Sequence, residues 1–134
     1  MSILLDTNAL IWALNDETEL GTRAREEIDE AQRHGRLMAS AVSFWEVAML
    51  MAKKRIILHK PAAQWRLDAL SFGVEEIPLD GQLAVESVAL VGLHGDPMDR
   101  VIVATAIRHQ VSLLTSDGRL LSWKGPLACL DARV

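Results

Sequence analysis

A chain of 134 residues is long enough for one sizeable core and short for two ordinary domains, so it reads as a single domain over residues 1–134. Half of its residues are hydrophobic and 24% are charged, which excludes a disordered or fibrous chain. A net charge of −4 argues against a nucleic-acid binder with a broad basic footprint, although bound metal and local Lys and Arg can present a positive face on an acidic protein. No apolar run approaches the roughly 18 residues that a membrane-spanning helix needs. The start, M-S-I-L-L-D-T, lacks the basic region and apolar stretch of a secretion signal, and one cysteine, Cys129, cannot form an internal disulfide. Both fit a soluble protein of a reducing cytoplasm without a membrane partner.

I-L-L ahead of Asp6 is a short apolar run, predicted as a buried strand, and T-N-A-L-I-W-A-L continues it as a helix. Residues 21 to 34 form a charged helix with Ala24, Ile28 and Ala31 as its apolar stripe, ended by His34-Gly35. L-M-A-S predicts a second strand. S-F-W-E-V-A-M-L-M-A-K-K predicts a helix whose closing lysines suit its C-terminal dipole. Pro61 opens a helix that Gly73 stops, V-E-E-I-P is a third strand, and residues 80 to 91 are another helix. A helix over 97–110, a strand V-S-L-L-T and a strand L-A-C-L complete the chain. The alternation predicts a three-layer α/β/α domain around a central, mainly parallel sheet of about five strands.

Sites in open parallel sheets form where strands end. Asp6 ends the first strand, and Asp117 follows the fourth. Glu46 is expected in the first turn of the helix after L-M-A-S, and Asp99 in the first turn of its own helix. Asp99 shares a face with Ile102, Val103 and Ala106, a face that should be buried. A carboxylate over such a stripe stays ionised only beside a cation, a metal or a hydrogen-bond donor. Asp96, just before Pro97, is accounted for as a helix cap. Four converging acids, Asp6, Glu46, Asp99 and Asp117, repel one another unless they bind cations or hold protons, and oxygen-only ligands select hard ions such as Mg2+ or Mn2+. The matching chemistry is metal-assisted phosphodiester hydrolysis without a protein nucleophile. Each acid also has a purely structural account: Asp6 as a cap, Asp117-Gly118 as a turn, and Ser43-Phe44-Trp45-Glu46 as a capping box.

The segments L-L-D-T-N-A-L-I-W-A, S-F-W-E-V-A, G-D-P-M-D-R-V-I-V-A-T-A and L-L-T-S-D, in this order and spacing, resemble the PIN-domain family, most closely the VapC-type ribonuclease toxins of bacterial toxin–antitoxin pairs. The resemblance covers essentially the whole chain. It implies a Mg2+- or Mn2+-dependent endoribonuclease whose metal-binding, catalytic acids are Asp6, Glu46, Asp99 and Asp117. Asn8, and Thr115 or Ser116, match secondary positions, the hydroxyls being ones that help order water; Asp96 belongs to the motif mainly as a cap. Some members carry a further acid after the last one, where Gly118 and Arg119 stand here, which removes a ligand that a second metal would use. The resemblance also implies an RNA substrate, a homodimer, and an antitoxin segment that covers the site. Trp12, Trp45, Met49 and Met51 offer apolar surface for such partners, although core packing accounts for most of them. K-K-R-I-I-L-H-K reads as a solvated helix end before a guide for phosphates. His34, His59, His94 and His109 have no metal-ligand spacing.

Two other classes fit parts of this pattern. A phosphotransferase with Asp6 as nucleophile would want an aspartate two positions on, where Asn8 stands. A non-catalytic α/β interaction module would use the acids only to hold a structural ion.

Overall fold

The structure, a computed structural model, covers residues 1–134. Its elements are β1 (Ile3–Leu5), α1 (Thr7–Leu14), α2 (Thr22–Arg33), β2 (Leu37–Ser40), α3 (Ala41–Ala52), α4 (Ala62–Phe72), β3 (Val74–Ile77), α5 (Gly81–Val88), α6 (Pro97–His109), β4 (Ser112–Thr115), α7 (Gly118–Leu121) and β5 (Cys129–Asp131). The five strands form one sheet in the order β3-β2-β1-β4-β5, and every neighbouring pair is parallel.

Successive strand residues face opposite sides of the sheet, and the chain provides a core for each. Ile3, Leu5, Leu37, Ala39 and Leu114 face the larger core with α1, α2, α3 and α4, where Leu10, Ile28, Val47 and Trp65 pack. Leu4 and Leu113 face the other core with Leu83 of α5, Leu120 of α7 and the buried run Val101–Ala104 of α6. Strands covered on both faces bury both sets of side chains, which is why β1 is apolar at all three positions. No helix is long and apolar enough to cross a membrane.

The strand order determines where a site can form. From β1 the chain steps outward to β2 and β3, then returns to β4 on the other side of β1. The helices that follow β1 and β4 therefore leave in opposite directions, and a crevice opens at the C-terminal ends of these two strands. Asp6 and Asp117 stand at those two ends.

Three expectations change. α3 begins at Ala41 because the Ser40 hydroxyl, at the end of β2, accepts from Val42 N at 3.2 Å. Ser43 is consequently inside the helix, buried, and receives a hydrogen bond from the Thr7 hydroxyl at 3.1 Å. No capping box joins it to Glu46, which lies in the second turn. α7 was not predicted; it is a four-residue helix capped by Asp117. β5 pairs through Cys129, Leu130 and Asp131, two residues later than L-A-C-L begins, in register with Leu113, Leu114 and Thr115. Among the residues weighed as core, Trp12 and Met51 do pack against the larger cluster, whereas Trp45 is 58% exposed.

Candidate active site

Three aspartates at the crevice are helix caps, and capping is what aims them. Asp6 N-caps α1: its Oδ1 accepts from Ala9 N at 2.9 Å, and its Oδ2 accepts from the Thr115 hydroxyl. Asp96 N-caps α6, accepting from Met98 N at 3.0 Å and Asp99 N at 3.2 Å, with Pro97 at the first helical position. Asp117 N-caps α7, accepting from Arg119 N at 2.8 Å. Structural and site roles coincide here, because a cap uses one or two lone pairs of a carboxylate that has about four. Asp99 needs no cap of its own: α6 starts two residues before it, and Ile102, Val103 and Ala106 on its face are buried.

Asp6, Glu46, Asp99 and Asp117 all line one pocket of about 180 Å3, together with Thr7, Asn8, Asp96 and Arg119. The pocket has no hydrophobic residue in its wall. Thr115 sits behind it and ties two strand ends together: its hydroxyl donates to Asp6 and accepts from Asp117 N at 3.0 Å. Ser116 is buried beside Thr115 and lies outside the pocket wall.

The electrostatics follow from placing five carboxylates together. Burial raises the Asp6 carboxyl from 3.8 to about 6, with Asp99 and Asp117 pushing the same way against the hydrogen bonds from Thr115 and Ala9. Glu46 and Asp99 are raised too, each chiefly by burial and then by neighbouring aspartates. Asp117 alone is lowered, because Arg119 grips it, Nε to Oδ1 at 3.2 Å and Nη2 to Oδ2 at 2.9 Å. Three of four acids are thus drawn toward the neutral form, the state of a site short of positive charge. Carboxylate oxygens in this number are the donor set of a divalent cation.

Three residues of this site carry no recognisable signal in the sequence. His94 Nε2 lies 2.9 Å from Asp99 Oδ2, and His94, Asp99 and Asp117 can each bring a ligand atom within 4.8 Å of the others. Its Nδ1 is buried without a partner. Local spacing hides this histidine, since the G-D-P turn folds it back onto the acid five residues later. Arg100, next to Asp99, spends all five guanidinium N–H groups on main-chain carbonyls: those of Ser87, Val88, Leu90, Leu93 and His94, at 2.6 to 3.1 Å. It ties the loop before α6 to the helix and so holds His94 against Asp99. Arg119 is the third, being the resident cation of the pocket.

Residues 3–124 match the family model of the PIN domain. The chain is 35% identical over 126 residues to "Ribonuclease VapC22" of Mycobacterium tuberculosis, covering 93% of this chain and 94% of that one. Among solved structures it resembles a toxin–antitoxin complex from Klebsiella pneumoniae, with a TM-score of 0.64, 26% identity, and 98% of each chain covered. It also shares its fold with VapBC2 from Rickettsia felis, solved bound to a promoter DNA fragment, with a TM-score of 0.70, 18% identity, and 97% and 98% of the two chains covered. With a family model spanning most of its length and a relative of this identity, the chain belongs to the PIN-domain family.

Proposed function

We propose that this protein is a Mg2+- or Mn2+-dependent endoribonuclease, the toxin of a type II toxin–antitoxin system acting in the cytoplasm. The observation that carries the reading is the convergence of Asp6, Glu46, Asp99 and Asp117, from four separate elements, on one pocket at the β1/β4 crevice. The ribonuclease named among its relatives supports the activity, and the toxin–antitoxin complexes among its structural neighbours support the partner.

The four acids would hold the ion, which supplies Lewis-acid stabilisation of the phosphate and activation of water. The chain's own groups do the rest. Asp6 must be ionised to serve, which its raised pKa allows above about pH 6. The Thr115 hydroxyl donates to the Asp6 carboxylate and accepts from the Asp117 main-chain N–H, and so holds the Asp6 carboxylate against the backbone that carries Asp117. Asn8, exposed at the pocket wall, offers an amide N–H to a phosphate oxygen. Asp6 is a poor candidate nucleophile for phosphotransfer, since it is 6% exposed and both its oxygens are engaged.

Partner surfaces accompany this reading. Trp45, Met49, Leu50, Pro97 and Met98 form a mainly apolar cleft of about 350 Å3 that shares Glu46 and Asp96 with the acid pocket, a place for an antitoxin segment that reaches over the acids. Val85, Val88 and Val91 are 73 to 86% exposed at three-residue spacing and suit a second copy in a homodimer. The test of function is incubation of the purified protein with structured RNA and Mg2+ or Mn2+. Metal-dependent internal cuts that a chelator abolishes support the proposal; tight metal binding with intact RNA would instead favour the non-catalytic interaction module.

A further inference from the structure

Beside the acid pocket a second, larger cleft of about 570 Å3 opens between residues 91–94 and residues 122–125. The geometry points to this cleft as the subsite for the RNA strand on one side of the cut, an inference that rests on the ribonuclease reading. The first argument is continuity. Arg119 lines both the cleft and the acid pocket, and His94 in the cleft wall touches Asp99. A strand whose scissile phosphate sits among the acids reaches this cleft next.

The second argument is charge. The acid pocket presents five carboxylates, and the apolar cleft on its other flank sets Lys53 and Arg55 against Glu46 and Asp96. The wall of the large cleft contains Arg119, Lys124 and His94 and no carboxylate, in a protein of net charge −4. Asp117 engages Arg119 and Asp99 engages His94, so Lys124 is the cation of this wall without a carboxylate partner. Of the two clefts beside the acids, only this one offers a polyanion a cation with no carboxylate in the same wall. Lys124 is exposed and lines this cleft but not the acid pocket, which suits it to a phosphate beyond the one being cut.

The third argument is that the cleft is already built. Trp123 Nε1 donates to Val91 O at 3.0 Å and so joins the two walls. Its ring lies against Gly125, where a Cβ would come within 2.1 Å of ring carbons, and Gly92 takes the left-handed φ of +77° that the opposite wall needs. Arg100 fixes the carbonyls of Leu93 and His94 from behind. The volume is that of a ligand site able to take a nucleotide, and the partly buried Trp123 ring in its wall offers a base a surface that reads no particular sequence.

The test is the steady-state kinetics of the parent and Lys124→Ala on a short RNA whose cut position has been mapped, and on versions shortened from either end. Melting temperature and its rise with Mn2+ serve as folding and metal-site controls and should match the parent. We expect KM on the full RNA to rise roughly threefold to tenfold with kcat within about twofold, and the slope of log(kcat/KM) against log salt to fall by about 0.7, one single-strand phosphate contact. The difference should vanish on RNAs shortened on one side of the cut and persist on those shortened on the other. Unchanged KM on the full RNA, or a difference independent of which end is removed, overturns the subsite. So does unchanged RNA kinetics combined with weaker inhibition by an acidic peptide, which would assign the cleft to a protein partner. A parent that neither cuts nor binds any RNA with Mn2+ present overturns the ribonuclease reading itself.

Discussion

Arg119 Nη2 lies 2.9 Å from Asp117 Oδ2, and the same nitrogen reaches to 3.8 Å from Asp99 Oδ2. One guanidinium of the chain thereby neutralises part of the acid pocket and holds two of the carboxylates a divalent cation would use. Arg119 is 62% exposed, so the pair is worth little to folding, and its effect is on what the pocket can bind.

Arg119→Ala should therefore tighten metal binding while impairing turnover. With Asp117 released, the Mn2+ concentration that gives half of the maximal thermal shift should fall several-fold, because no internal cation competes for the carboxylates. RNA cleavage should weaken at the same time, through loss of a cation beside the phosphate. A variant needing more Mn2+ than the parent would show that Arg119 supports the metal site and does not compete with it.

Asp6 gives a pH dependence whose sign is fixed. Its folded pKa, about 6, stands above the ordinary 3.8, so between these values the folded protein binds more protons than the unfolded one, and stability falls as pH rises. The full shift corresponds to about 3 kcal/mol as an upper bound. Metal-free parent should lose melting temperature between pH 4 and pH 6 more steeply than Asp6→Asn, which keeps the cap to Ala9 N and should melt higher than the parent at pH 7.5. With Mn2+ the trend reverses, since the metal requires the ionised form and apparent affinity should climb through about pH 6. Equal pH slopes for the two metal-free proteins would place the buried charge elsewhere.

Asp99 and Asp96 separate by the same logic. Asp96 is exposed and its Oδ1 serves two N–H groups, a task asparagine performs as well, so Asp96→Asn should retain substantial cleavage and stability within about 0.5 kcal/mol of the parent. Asp99→Asn, on the half-buried face against His94, should lose cleavage by at least about 100-fold while remaining folded. Equal losses in two folded variants would mean that the motif's two aspartates act together.

The parts of this site that are legible in the sequence are those set by strand ends and helix starts. Asp6, Asp99 and Asp117 can be placed from an apolar run and the element that follows, because the sheet edge gathers them whatever the loops do. Glu46 is legible as an acid of the cluster but not at its position. Ser40 and Ser43 are both credible caps, and only the tertiary partner of Ser43, the Thr7 hydroxyl 36 residues away, decides that the helix starts at Ala41. His94 and Arg100 work through a folded-back loop, and Arg119 grips Asp117 two residues earlier while reaching across to Asp99, and no periodicity encodes those contacts. Trp45 looks like core from its neighbours, yet the face it occupies has nothing of this chain packed over it.

Glu46 offers the most direct test of the claim that four carboxylates form one metal site. No capping role complicates the substitution, and burial together with Asp99 and Asp96 already pushes its carboxyl toward neutrality. The measurement is the Mn2+ titration of melting temperature for the parent and Glu46→Gln, followed by cleavage of an RNA that the parent cuts. The account predicts that metal-free Glu46→Gln melts at or above the metal-free parent, gains little or nothing from Mn2+, and cuts at least about 100-fold more slowly. Parent-like Mn2+ stabilisation together with parent-like cleavage would remove Glu46 from the site and contradict the four-acid account.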